Sequence, residues 1–254
     1  MMLITKVGAV FMLGAVILSG CGSQEVVPIA PEPEESPSKQ VSMQLEQENH
    51  DEWIAASADR QVRLYAEEEA EHAIEGVILE INGVQKEWDW RIPNTGTDPQ
   101  VFYTDLTGDG QEEAVIIIQN GRGTGLNTYE IHVVDAKDAT EIQVQGYEDI
   151  VAEQIESHIT QQDDGTLGIT MKTQDQEYKL EYPLDVATTV EQEKLFFGGV
   201  VIYSLEGQKI KLNIPGSVGV SPIYVCDVNV VYKFDGAKNQ FVVDQVEVEP
   251  VQLP

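Results

Sequence analysis

The chain has 254 residues, and 44 acidic side chains against 15 basic ones give it a formal charge of −29. That field excludes sequence-independent nucleic-acid binding, which needs lysine and arginine to meet phosphate, and it excludes loose adsorption to anionic lipid head groups. Two cysteines exclude a disulfide-rich scaffold, and 42% apolar residues suffice for one or two domains with a core.

Residues 1–20 carry one charge, Lys6, ahead of an apolar run, Val7 to Leu18. The run is too short and too rich in glycine and alanine to span a bilayer comfortably. It ends in Leu18-Ser19-Gly20-Cys21, where small residues fit a peptidase cleft and a thiol follows as a nucleophile for diacylglycerol. This resembles the lipobox of bacterial lipoproteins at all four positions. The resemblance implies a signal peptide over 1–20, lipidation of Cys21, and a membrane-anchored chain on the extracytoplasmic face. Each buried lipid CH₂ contributes about 0.8 kcal/mol, so two or three acyl chains hold firmly. Cys226 is then the one side-chain thiol left, and it forms no internal disulfide.

Behind Cys21, the stretch to residue 50 is expected to be an acidic tether. Pro28, Pro31, Pro33 and Pro37 alternate with Glu25, Glu32, Glu34 and Glu35, a composition that cannot offset its own ordering entropy. The folded region is 51–254. Asn49 and Glu52 have capping-box spacing, Ile54, Ala58, Val62 and Tyr65 recur every three or four residues, and Gly76 is a stop. Together they predict a leading helix.

From Val77 the period becomes two. Val77–Ile81 and Val84–Trp90 flank Asn82-Gly83 and predict a hairpin. Further strands are expected over 101–104, 114–119, 128–134 and 141–145. A mid-chain helix is expected over Tyr147–His158. Strands resume over 167–173, 177–182, 195–205, 209–214, 223–234 and 240–249. On the penultimate strand Cys226, Val228, Val230, Tyr232 and Phe234 share one parity, which sends the thiol into the core. The fold class is mainly β (α+β), antiparallel sheets with those two helices. A boundary near 145–165 leaves room for two subdomains.

The stretch Asp105-Leu106-Thr107-Gly108-Asp109-Gly110-Gln111-Glu112-Glu113 carries the chemistry. Hard oxygen donors at alternate positions, with a glycine after the third, wrap a loop around one cation. Asp105, Thr107 and Asp109 supply side chains, Gln111 its backbone carbonyl, and Glu113 a carboxylate. Position twelve is Ile116 where an EF-hand has Glu, and an aliphatic strand follows at once. Loop-then-strand resembles FG-GAP and VCBS-type repeats, with Thr107 and Glu113 in place of the usual residues. It is similar to single-copy forms in lipoproteins of Gram-positive bacteria, families that lend no activity. The resemblance and the donor set both imply Ca²⁺ in a structural role. A second copy is missing, so a β-propeller is not expected.

Asn120-Gly121-Arg122-Gly123-Thr124-Gly125 follows a strand but lacks the Lys-Ser/Thr of a phosphate loop. It is expected to be a flexible loop beside the ion site, with Arg122, Gly123 and Gly125 as the ligand candidates. The four histidines show no metal spacing, and His132 is expected at the surface or across strands. Trp88 and Trp90, near Tyr103, suit core packing better than a sugar platform. The expected function is a non-enzymatic surface module that engages a wall polymer or a protein. The alternative is an extracytoplasmic hydrolase with an acidic site.

Overall fold

The computed structural model describes residues 53–174, 176–184 and 190–251. The stretches expected as signal peptide and tether, with Cys21 and the Asn49/Glu52 pair, lie outside the described residues. Alternation of apolar and polar side chains dictates most of the strands. Strands β1 (Ala55–Ala56), β2 (Val62–Glu69), β3 (Ala73–Ile81) and β4 (Val84–Pro93) make a four-stranded antiparallel sheet in that order.

The expected leading helix is not there. Residues 57–61 turn instead. Ser57 Oγ donates to Asp59 Oδ1 (2.6 Å), the Gln61 N–H donates to the same oxygen (3.1 Å), and Arg60 sits at φ 61°. Beyond the turn Val62 and Leu64 are fully buried at a spacing of two, and β2 pairs with β3 from Val62↔Ile81 to Glu69↔Ile74. A four-residue stripe offers only weak local helix propensity, and pairing plus burial against a second sheet overrides it. Gly76, expected as a helix stop, is a bulge in β3. Its φ is +79°, and a Cβ there would lie 2.4 Å from Glu67 Oε2. The Asn82-Gly83 turn has positive φ at both residues, as a tight hairpin of this sequence requires.

The chain continues through β5 (Gln100–Thr104), β6 (Glu113–Gly123), β7 (Leu126–Asp135), β8 (Glu141–Val144) and helix α1 (Tyr147–Gln154). The helix ends four residues earlier than expected, because Ile155–Gln161 is strand β9, paired in full with β10 (Thr166–Thr173). After β10 come β11 (Gln176–Pro183), β12 (Val200–Glu206), β13 (Lys209–Asn213), β14 (Gly216–Val218), β15 (Ile223–Asp235) and β16 (Gln240–Pro250). Strands β11-β10-β9 form a small sheet of their own. Strands β12-β13-β15-β16-β8-β7 form a six-stranded barrel, closed by a parallel pairing of β12 with β7 at Val200↔Asn127 and Val201↔Thr128. Closure removes the open edges that would otherwise invite pairing between molecules.

Strand β6 joins the two halves of the core. Ala114, Ile116 and Ile118 pack with Val62, Leu79, Trp90 and Ile92 of the four-stranded sheet, while Val115 and Ile117 pack with the barrel cluster. Both faces are covered, which is why this strand reads as a continuous apolar run rather than an alternation. Ile150 of α1 and Ile159 of β9, within the stretch expected as a boundary, both belong to the barrel cluster. Among the described residues no helix is long and apolar enough to cross a membrane.

Candidate metal centre

The acidic stretch forms the connection between β5 and β6, whose pairing ends at Thr104↔Glu113. Two left-handed glycines, Gly108 (φ 80°) and Gly110 (φ 86°), fold the chain back on itself. Their amides are caught by the first residue of the loop. The Gly108 N–H donates to Asp105 Oδ1 (2.7 Å) and the Gly110 N–H to Asp105 Oδ2 (3.0 Å). Asp109 Oδ1 accepts from the Gln111 N–H (2.8 Å). Glu113 reaches back across the loop. Its Oε2 accepts from the N–H groups of Leu106 (2.7 Å) and Thr107 (3.2 Å), and its Oε1 from the Thr107 hydroxyl (3.3 Å).

This arrangement brings Asp105, Asp109 and Glu113 together, with one carboxylate oxygen of each within 4.8 Å of the others. The acidic triad could hold a metal ion. The Thr107 hydroxyl lies against the triad through Glu113, whereas Gln111 touches it through its amide to Asp109. Glu113 is 2% exposed, unlike the partly exposed Asp105 and exposed Asp109. Burial pushes its carboxyl above the usual range. The Leu106 and Thr107 donors oppose that shift, and the Asp105 charge reinforces it. A divalent cation is the group that would reverse the balance, since it repays desolvation and cancels the repulsion at once.

The glycine-rich stretch is a hairpin rather than a flexible loop. Strand β6 runs to Gly123, and Thr124-Gly125 makes a tight turn into β7, with Gly123 opposite Leu126. Arg122 Nη1 donates to the Thr95 carbonyl (2.9 Å), and the Gly125 carbonyl accepts from the Tyr224 hydroxyl (3.2 Å). A strand of this length spans roughly 30 Å, so Arg122, Gly123 and Gly125 sit at the opposite end of β6 from the triad.

Trp88 and Trp90 stack at 4.7 Å, and Trp90, 6% exposed, packs in the core. They present no open aromatic platform. Cys226 is fully buried with its Sγ 3.6 Å from Met171 Sδ, and burial pushes the thiol up to about 11. The sequence reading missed the surroundings of His132. The ring stacks on Trp90 at 4.1 Å, its Nδ1 lies 2.7 Å from Glu141 Oε1, and its Nε2 lies 3.6 Å from Glu130 Oε1. Only the Glu130–His132 spacing of two, which puts both on one face of a strand, hinted at it. Compared with family models, curated proteins and solved structures, the chain finds no match.

Proposed function

We propose that this chain is a lipid-anchored protein of the extracytoplasmic cell surface whose β module is braced by one Ca²⁺ and serves in binding rather than catalysis. The observation that supports the ion is the convergence of Asp105, Asp109 and Glu113 oxygens within 4.8 Å of one another. Oxygen donors alone suit Ca²⁺, whereas Mg²⁺ keeps more of its water and uses fewer carboxylates. The Asp105 and Asp109 side chains are already turned inward by the loop amides they accept from. An ion there fastens the β5–β6 connection to the first residue of β6, the strand shared by both halves of the core. The anchor rests on Leu18-Ser19-Gly20-Cys21. A tether behind it would hold the module away from the membrane, where a wall polymer or a protein is the partner.

Thermal unfolding with and without Ca²⁺ tests the ion. The Asp105→Asn, Asp109→Asn double variant, which keeps side-chain oxygens to accept from the loop amides, is expected to melt lower than the parent chain in Ca²⁺ and close to it in chelator. An equal deficit in both would reduce the loop to an ordinary turn. Incorporation of labelled palmitate tests the anchor. Cys21→Ser is expected to abolish it, and an unlabelled parent protein recovered from the medium would remove the membrane from the proposal.

A further inference from the structure

His132 lies on β7 opposite Ile116 of β6, on the face of the barrel wall that meets the four-stranded sheet. Its side chain is 17% exposed. Three flat groups follow one another from sheet to wall. Trp88 stacks on Trp90 with an interplanar angle of 23°, and Trp90 stacks on the imidazole at 18°. Lys86 Nζ caps the outer end, 4.3 Å from the centre of the Trp88 ring, and donates to the Ala139 carbonyl (2.6 Å).

The charged groups around this stack are unequal. Two carboxylates face the imidazole: Glu130 from β7 and Glu141 from β8. From β6 it meets the apolar Ile116, and from β4 the Trp90 ring. The cations are further out, with Lys86 beyond Trp88 and Lys137 next to Asp138 around the small cavity beside that ring. An imidazolium here closes two ion pairs and lays a positive ring on an indole face, an attraction that strengthens away from water. A neutral imidazole loses that attraction, donates at one nitrogen only, and gives up its ion pairs with the half-buried Glu130 and Glu141.

We propose that the Trp88–Trp90–His132 stack, closed by Glu130 and Glu141, is a protonation-dependent latch between the four-stranded sheet and the barrel. It grips while His132 is an imidazolium and slackens when the proton leaves. Burial by itself would pull the His132 proton affinity down, but the Glu130 and Glu141 carboxylates outweigh it and hold the affinity above the usual histidine value. A raised value fixes the sign. The stabilisation is complete below the ordinary histidine range near 6.5 and is lost as the pH rises through the value in the folded chain. The latch therefore releases toward alkaline pH.

Proton NMR of the full chain across pH 5–9, with tryptophan emission followed in parallel, tests the proposal. The His132 Hε1 signal is expected to titrate above the ordinary histidine value near 6.5, and emission is expected to rise at the same midpoint, as an imidazolium stacked on Trp90 stops quenching it. Glu141→Gln should move both midpoints down together, while His132→Gln should flatten the emission curve and the fall of Tm with pH. His132 titrating at or below the ordinary histidine value of about 6.5 would overturn the latch even if His132→Gln failed to fold. So would an emission midpoint that Glu141→Gln leaves in place.

Discussion

The two ends of β6 secure their turns by opposite means. At Glu113 the loop is held by charge: carboxylates accept from its amides, and one of them pays for burial with a raised proton affinity. At Gly123 the turn is held by shape. Gly125 sits at φ +70°, and a Cβ there would come 2.9 Å from Pro222 Cγ. A turn built on charge answers to ions and pH, whereas a turn built on close approach answers only to mutation. Between them residues 114–119 are buried and should respond to neither ions nor pH.

Ile117→Ala, in that shared middle, has the largest expected effect. Removing a side chain 1% exposed from the barrel cluster should cost about 2–5 kcal/mol. In calorimetry that is a fall of about 2–4 °C in Tm for each kcal/mol. A loss below about 1 kcal/mol would mean that β6 is not the common wall of the two clusters.

Calcium should act on one end alone. Were the proposed Ca²⁺ site to have an affinity on the order of 10⁻⁴–10⁻³ M, 10 mM Ca²⁺ would stabilise by about 1.4–2.7 kcal/mol. Gly125→Ala and Arg122→Ala should leave that increment intact, and a reduced increment in either would show that the ends are coupled. The increment should also depend on pH. With Ca²⁺ chelated, the contribution of Glu113 is present below its ordinary value of 4.5 and is lost as the pH rises through the raised value in the folded chain. The ion restores what is lost, so its increment should shrink on acidification through that window. A calcium increment as large at pH 4 as at pH 7 would place the ion elsewhere.

At the other end, Gly125→Ala is expected to cost about 1–2 kcal/mol from left-handed strain and the crowding at Pro222, equally with and without Ca²⁺. Arg122→Ala should cost the least, within about 1 kcal/mol, since an exposed side chain gives up one hydrogen bond to Thr95. Denaturant titrations of both variants would rank them, and a reversed order would shift the weight from shape to that bond.

Local chemistry made parts of the molecule legible in advance. Asn82-Gly83 specified a hairpin, the parity of Cys226 to Phe234 specified an inward thiol, and Asp105 to Glu113 specified a cluster of oxygen donors. What escaped was non-local. Ile54, Ala58, Val62 and Tyr65 satisfy a helical stripe, and only the presence of β3 and of the Ile116 face of β6 makes Val62–Glu69 a strand. His158 falls in β9 because β10 lies ready to pair with it. His132 acquires Glu141 from the next strand and Trp90 from another sheet, partners that spacing along one segment cannot announce. The barrel was equally invisible, since its closure rests on a parallel pairing between residues more than seventy positions apart.

The sulfur at Cys226 gives the barrel a built-in clock. Burial pushes the thiol up to about 11, which keeps it protonated at neutral pH, and it is fully buried in the barrel cluster. In a Cys21→Ser chain it would be the sole alkylation target. The rate at which a maleimide captures it then measures how often the interior opens, and it does so at a single atom and without heat or denaturant.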